Sequence, residues 1–337
     1  MRWAHGWVAA CLAALILVMN PAIAAPKRVV STFLCTDEYV FRLVPRDRIA
    51  ALSFEATDRN PVVSTIADAA SGIPTIRPSA ETVLNYRPDL VVMYQFTMPE
   101  LHAQLARIGV PVLDVPWANS LADVRRITAM LGEKLGARDR AGALLKEMDA
   151  KIAAARAAAP HPPVVTLIYE PNGYASSGGV TTEIMTLSGL KGVSPELHLT
   201  RLDTLPIESV IAHAPELVIL SGDRHTQNSR ADLVQHHPAL SALEGRSYVA
   251  WARLTPLLCP GPWSLDTAAT FTTLAAEARK ANSSPAKRGR GTARSAVEGA
   301  GAVVPPPRLR RYSFRKRGES FSSASPRESL IYADGWR

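Results

Sequence analysis

From Lys27 to Lys280 short apolar runs alternate with amphipathic stretches. Val29-Val30-Ser31-Thr32-Phe33 has the composition of a strand, and Thr36 to Val44 reads as a helix that Pro45 stops. Ile49 to Ser53 is a second strand. Ser79 to Tyr86 is helical, and Leu90-Val91-Val92-Met93 is a buried strand. Pro99 to Ile108 has an apolar stripe at helical spacing and ends at Gly109; Val112-Leu113-Asp114-Val115 is again a strand. Strands alternating with helices predict a mostly parallel α/β sheet.

A long helical zone follows, Ser120 to Ala159, rich in Ala, Leu, Lys, Glu and Arg. Gly132 and Gly136 divide it. The second piece, Ala137 to Ala158, is about 33 Å long at the helical rise per residue, and Pro160, Pro162 and Pro163 end it. The alternation then restarts. Val164 to Tyr169, Leu217 to Leu220 and Tyr248 to Trp251 read as strands. Thr181 to Leu187, Ile207 to His213 and Leu265 to Arg279 read as helices.

The two halves share a motif. Glu81-Thr82-Val83-Leu84 leads to Pro88-Asp89-Leu90-Val91-Val92, and Glu208-Ser209-Val210-Ile211 leads to Pro215-Glu216-Leu217-Val218-Ile219, at a constant offset of 127. Of the 12 aligned positions 5 are identical and 4 are close substitutions. A repeated helix-strand unit predicts two Rossmann-like lobes with mostly parallel sheets, joined by one long helix, with a ligand cleft between them. In open parallel sheets the loops after the strands line such a crevice. The expected boundaries are a lobe over 25–136, the connecting helix over 137–159 and a second lobe over 160–280.

The first 24 residues read as an export signal: Arg2, an apolar run from Val8 to Val18, the breaker Pro21 and the small-residue site Ala22-Ile23-Ala24. The run is shorter than a membrane-spanning helix requires. Val8-Ala9-Ala10-Cys11 resembles a lipoprotein box, but its cysteine lies inside the apolar run. Cleavage would leave Cys35 and Cys259. An oxidising compartment permits a disulfide between them, and two buried free thiols are the alternative; the sequence does not choose.

Charge changes the picture only at the end. Lys280 to Arg337 carries 13 Lys/Arg against 4 Asp/Glu, so the rest of the chain stands at −1 although the total is +8. A nearly neutral body offers no argument for nucleic acid. Residues 281–337, rich in Ser, Arg, Gly and Pro with Pro305-Pro306-Pro307, are expected to be a disordered basic tail.

These features resemble the periplasmic binding proteins for cobalamin and ferric siderophores that serve ABC importers. The resemblance covers Lys27 to Glu277. It rests on Arg28-Val29-Val30-Ser31 with Cys35-Thr36-Asp37-Glu38, on Arg48 to Ser53, on Arg87-Pro88-Asp89-Leu90-Val91-Val92, and on Leu258-Cys259-Pro260-Gly261-Pro262-Trp263-Ser264. It implies a rigid clamp that closes modestly on a bulky chelate and works as a monomer. Its partners would be an ABC permease and the ATPase of that permease. It also implies docking to permease arginines through one acidic residue per lobe, at Glu81 and Glu208. The tail departs from the family pattern.

On this reading the cleft candidates are residues on loops after strands. In the first lobe they are Cys35, Thr36, Asp37, Phe54, Tyr94, Gln95 and Trp117. In the second they are Tyr169, Asn172, Tyr174, Asp223, Arg224, His225, Trp251, Arg253 and Trp263. The aromatics suit a flat ligand, and Arg224 and Arg253 suit acidic groups on an anionic chelate. A bare metal site wants two or three histidines with carboxylates, but only His102 falls in the first lobe. Haem ligation by Tyr169 or Tyr174 is a further alternative. No G-x-S-x-G, P-loop or H-E-x-x-H motif is present, so neither an enzyme nor a resident cofactor is expected. Gly178-Gly179 before a helix is a weak phosphate signal.

Overall fold

The computed structural model of the chain describes residues 25–176, 178–193, 197, 199, 202–224 and 229–283. The expected signal segment, the tail from 284 and His225 lie outside the described residues.

Five parallel strands form the first sheet in the order β3-β2-β1-β4-β5. They are β1 (Val29–Ser31), β2 (Ile49–Ser53), β3 (Thr75–Ile76), β4 (Leu90–Tyr94) and β5 (Val112–Val115). Helices α1 (Leu34–Leu43), α2 (Ala80–Asn85) and α3 (Pro99–Ile108) connect them. Next come α4 (Leu121–Lys134) and the long α5 (Arg138–Ala158). Between these two, Gly136 lies in the left-handed region at φ +62°, where a Cβ would stand 2.4 Å from that of Ala25.

The second sheet runs β11-β10-β6-β7-β9, with β8 also against β6. Its strands are β6 (Val164–Tyr169), β7 (Tyr174–Ser176), β8 (Leu190–Gly192), β9 (Leu202–Thr204), β10 (Leu217–Ser221) and β11 (Tyr248–Ala252). β8, β6, β10 and β11 are parallel, and β7 and β9 are antiparallel additions at one side. Its helices are α6 (Gly179–Leu187), α7 (Ile207–His213), the single turn α8 (Thr255–Leu258) and the closing α9 (Thr267–Ser283). Helix α9 continues three residues past the expected body boundary at Lys280. Ala281, Asn282 and Ser283 are therefore helical and not part of a disordered tail.

The sequence repeat is a structural repeat. In each half a short helix, α2 or α7, leads into a central strand, β4 or β10. Each helix is followed by a residue with positive φ placed immediately before a proline: Arg87 (φ 44°) and Ala214 (φ 37°), again 127 apart. The acidic residue after that proline has one task in both halves. Asp89 accepts the backbone N–H groups of Lys27 and Arg28 at 2.6 and 2.9 Å, and Glu216 accepts that of Val165 at 2.8 Å. Each carboxylate thereby satisfies amides at the start of the neighbouring strand.

One apolar cluster runs through both halves. Val29 and Val92 of the first sheet and Ile168 and Ile219 of the second share it with Met148 of α5 and Phe271 of α9. The opposite strand faces hold separate clusters. Val91 and Met93 pack with Leu101 and Leu105 of α3, and Val218 and Leu220 pack with Val210 of α7. Both sheets thus belong to one packed unit.

Candidate functional site

Because every strand of the first sheet is parallel, all five C-terminal ends open at one edge. That edge faces the second lobe, as three links establish. Cys35, at the start of α1, is disulfide-bonded to Cys259, just after α8; the free-thiol alternative is thereby excluded. The Thr255 hydroxyl donates to the Pro61 carbonyl at 2.6 Å. The Leu121 N–H, at the start of α4, donates to Glu183 of α6 at 2.7 Å.

The edge is aromatic. Phe33, just beyond β1, stacks on Tyr94 at the end of β4 (5.5 Å between ring centroids), and Tyr94 meets Trp117, just beyond β5, at 5.2 Å. Phe54 follows β2, and the Arg77 guanidinium, following β3, lies 4.1 Å from its ring centre. Four of the five strands therefore end in aromatics and the fifth in an arginine whose guanidinium carbon lies over one of them. Tyr94 is buried beneath this surface, whereas Phe54 (40 % exposed), Trp117 (46 %) and Phe96 (91 %) present open area. Phe96 and Met98, in the loop after β4, both have positive φ, at 66° and 48°. Such backbone strain is common where side chains serve a ligand.

Several expected lining residues lie elsewhere. Thr36 and Asp37 are fully buried. The Thr36 hydroxyl is 2.7 Å from that of Ser31, and Asp37 accepts the Ser53 N–H at 3.1 Å and the Ser53 hydroxyl. They tie α1 to the ends of β1 and β2 below the cleft. Burial pushes the Asp37 carboxyl up to about 7, against hydrogen bonds that hold it down. Tyr169 is also fully buried, and its hydroxyl donates to the Leu205 carbonyl at 3.0 Å, which removes it as an iron ligand. Trp263 is core: its ring meets Tyr39 edge-on at 4.7 Å, Arg42 covers it at 4.3 Å, and its indole N–H donates to the Cys259 carbonyl. A loop position after a strand does not distinguish a side chain pointing outward from one folded under.

The second lobe offers a more polar wall. Arg253, after β11, is ion-paired with Asp223, after β10. Arg224 is exposed, Tyr174 is half-buried in β7, and Trp251 is half-buried against the His236 ring at 4.9 Å. Gln95 and Asn172 are exposed. Among the described residues no cluster of three or more His, Cys, Asp or Glu could hold a metal ion. None of their helices is long and apolar enough to cross a membrane. A shallow recess lined by Pro162, Pro163, Glu216 and Arg279 lies at the N-terminal ends of β6 and β10, away from this edge.

A sequence model of the family described as "Periplasmic binding protein" matches residues 29–245. The chain belongs to the periplasmic binding protein family. Similar solved structures agree with the fold of this periplasmic binding protein. The haem-binding protein RhuT from Roseiflexus sp. RS-1 is 22 % identical (TM-score 0.59), covering 75 % of this chain and 98 % of its own. An ABC-type Fe3+-hydroxamate transport protein from Saccharomonospora viridis is 18 % identical (TM-score 0.55; 74 % and 93 % covered). The vitamin B12-binding protein BtuF of Vibrio cholerae is 17 % identical (TM-score 0.55; 76 % and 98 % covered). No curated protein sequence matches the chain.

In this periplasmic binding protein Glu81 and Glu208 sit exposed in the first turns of α2 and α7, the two repeated helices. Ser79 caps α2 by accepting the Thr82 N–H at 3.1 Å. Three site residues escaped the sequence reading, and one of them, Phe33, entered it only as the last residue of a strand. Phe96 is one position past Gln95, where the reading stopped. Arg77 follows a two-residue strand between Pro74 and Pro78, too short to register as periodicity.

Proposed function

We propose that this protein captures a bulky chelate between its lobes and delivers it to an ABC permease, without transforming it. Ferric siderophore, cobalamin and haem are the candidate cargoes. The observation that carries this reading is the exposure of Phe54, Phe96 and Trp117 along one edge of a parallel sheet, facing a second lobe. Open aromatic area at such an edge suits a large ligand with flat or apolar surface. The solved relatives named for haem, Fe3+-hydroxamate and vitamin B12 support the same range of cargo.

Delivery rests on Glu81 and Glu208. Their equivalent placement on the two repeated helices supports a two-point contact with arginines of a permease, which would set register and approach more than affinity. The protein would act as a monomer, with the membrane reached only through the permease and its ATPase.

Thermal unfolding of the purified protein tests the reading, alone and with haem, ferric siderophores or cyanocobalamin. A ligand bound only by the folded state stabilises it by about 2.7 kcal/mol at a hundredfold excess over its dissociation constant. A raised midpoint with one cargo class is the expected result. An unchanged midpoint with all of them, in a folded sample, refutes chelate capture.

A further inference from the structure

Helix α1 joins the two lobes along one of its faces. Cys35, Tyr39 and Arg42 stand at i, i+4 and i+7, and each meets the second-lobe segment 259–263. Cys35 is disulfide-bonded to Cys259. One turn along, the Tyr39 hydroxyl donates to the Pro260 carbonyl at 3.2 Å and its ring meets Trp263 edge-on at 4.7 Å. The Arg42 guanidinium carbon lies 4.3 Å from the centre of the same indole. At the helical rise per residue, the disulfide and the Tyr39 contact are about 6 Å apart along α1. Cys35 is the end nearer the cleft, two positions after Phe33 of the aromatic edge.

Both sides of this seam are stiff. In the first lobe the Thr36–Ser31 and Asp37–Ser53 hydrogen bonds fix α1 to the ends of β1 and β2. In the second lobe the Trp263 indole N–H donates to the Cys259 carbonyl at 2.9 Å. The Ser264 hydroxyl donates to the Pro256 carbonyl at 2.7 Å and accepts the Gly261 N–H at 3.1 Å. Gly261 lies so close to the indole that a Cβ would stand 2.3 Å from it. Residues 256–264 therefore move as one piece. Two stiff pieces attached at two separate points keep a fixed angle, whereas pieces attached at one point pivot. Tyr39 and Trp263 belong to the apolar core shared by both halves, so the lower attachment survives without the bond. The other cleft-side links, Thr255 to Pro61 and Leu121 to Glu183, are single hydrogen bonds, whose net strength in water is small.

We propose that the Cys35–Cys259 bond is a latch on the angle between the lobes, with the Tyr39–Trp263 contact as its pivot. With the bond formed, the walls of the cleft are held at one separation. With the bond reduced, the lobes rotate about the pivot and the cleft widens, so the width of the cleft depends on the redox state of this pair. Both cysteines are almost fully buried (6 and 3 % exposed), so the latch is shielded from reductants while the seam is closed. This device acts whatever the cargo and does not depend on chelate capture.

Distance distributions from pulsed electron paramagnetic resonance on the full chain test the latch. Spin labels are attached through azide-bearing side chains, which leaves the native cysteines untouched. One pair spans the lobes, at exposed Glu100 of α3 and exposed Glu244 in the turn before β11; the other, at Glu100 and exposed Lys134 of α4, lies within the first lobe. Tris(2-carboxyethyl)phosphine reduces the bond: the phosphine gives up two electrons and takes an oxygen from water, and the two sulfurs take the protons. On reduction the Glu100–Glu244 distribution is expected to lengthen and broaden while the Glu100–Lys134 distribution stays as it was, and reoxidation restores the narrow form. Cys35→Ala with Cys259→Ala should give the wide distribution with or without the phosphine. An unchanged interlobe distribution in the reduced protein and in the variant overturns the inference. Equal broadening of both pairs, which marks general loosening, does so too. If reduction and the double substitution both abolish the near-ultraviolet circular dichroism, the bond holds the fold and not an angle, and the latch is again refuted. None of these outcomes touches chelate capture, which thermal unfolding with cargo tests separately.

Discussion

At the scale of single residues, depth separates ligand-facing side chains from structural ones. Tyr169 and Trp263 occupy the loop-proximal positions that sequence associates with a crevice, yet both are packed with their polar atoms bonded to carbonyls. Replacing Trp263 by alanine removes the ring between Tyr39 and Arg42 and should cost about 3–5 kcal/mol in denaturant unfolding. Trp117→Ala, at a half-exposed position, should leave stability nearly unchanged and weaken cargo binding. Asp37 gives a pH signature. Its native pKa of about 7 lies above the unfolded value of a carboxyl, so the native state holds the proton more tightly. Stability should therefore fall as pH rises from about 4 to about 7 and level off above that. Asp37→Asn should lack this slope; midpoint-versus-pH curves that run parallel for the two proteins would refute the assignment. Phe54 and Trp117 were legible because they are large rings beside strand ends. Arg77 was not, since two residues between prolines carry no period.

At the scale of elements, most of the architecture was written in the repeat. Two proline-acid-leucine segments, 127 residues apart, each break a helix and start a central strand. Their carboxylates cap the neighbouring strand, a task that composition gave no reason to expect. The antiparallel pair β7 and β9 went unread. Each has three residues, too few for alternation to show. Helix α2 has six residues and depends on its cap. The Ser79 side chain accepts the Thr82 N–H, and the Thr82 hydroxyl accepts the Ser79 N–H at 3.0 Å. Ser79→Ala should cost about 0.5–2 kcal/mol in global unfolding. If Glu81 docks a permease from this helix, the same variant should slow transport while leaving cargo affinity unchanged.

At the scale of the molecule, two sheets, one long helix and one shared core form a clamp whose halves are already in contact. The sequence showed the halves and the helix between them. It did not show the bond joining them, because two cysteines in an oxidising compartment are compatible with either state. Cys35→Ser with Cys259→Ser should lower stability by about 2–5 kcal/mol, given a separation of 224 residues between the partners. A reducing agent should lower the wild-type midpoint toward that of the double variant and leave the variant's own midpoint unmoved. Separation on that scale also bears on how the protein is made. A chain passed amino-terminus first into the periplasm delivers Cys35 early and Cys259 only once nearly all of the folded body has crossed. In such a passage Cys35 would emerge as an unpaired thiol and wait for the last strand and α8. Maturation of a chain exported in this way would be tied to completion of its export, and one truncated before Cys259 would leave Cys35 open to exchange with other disulfides.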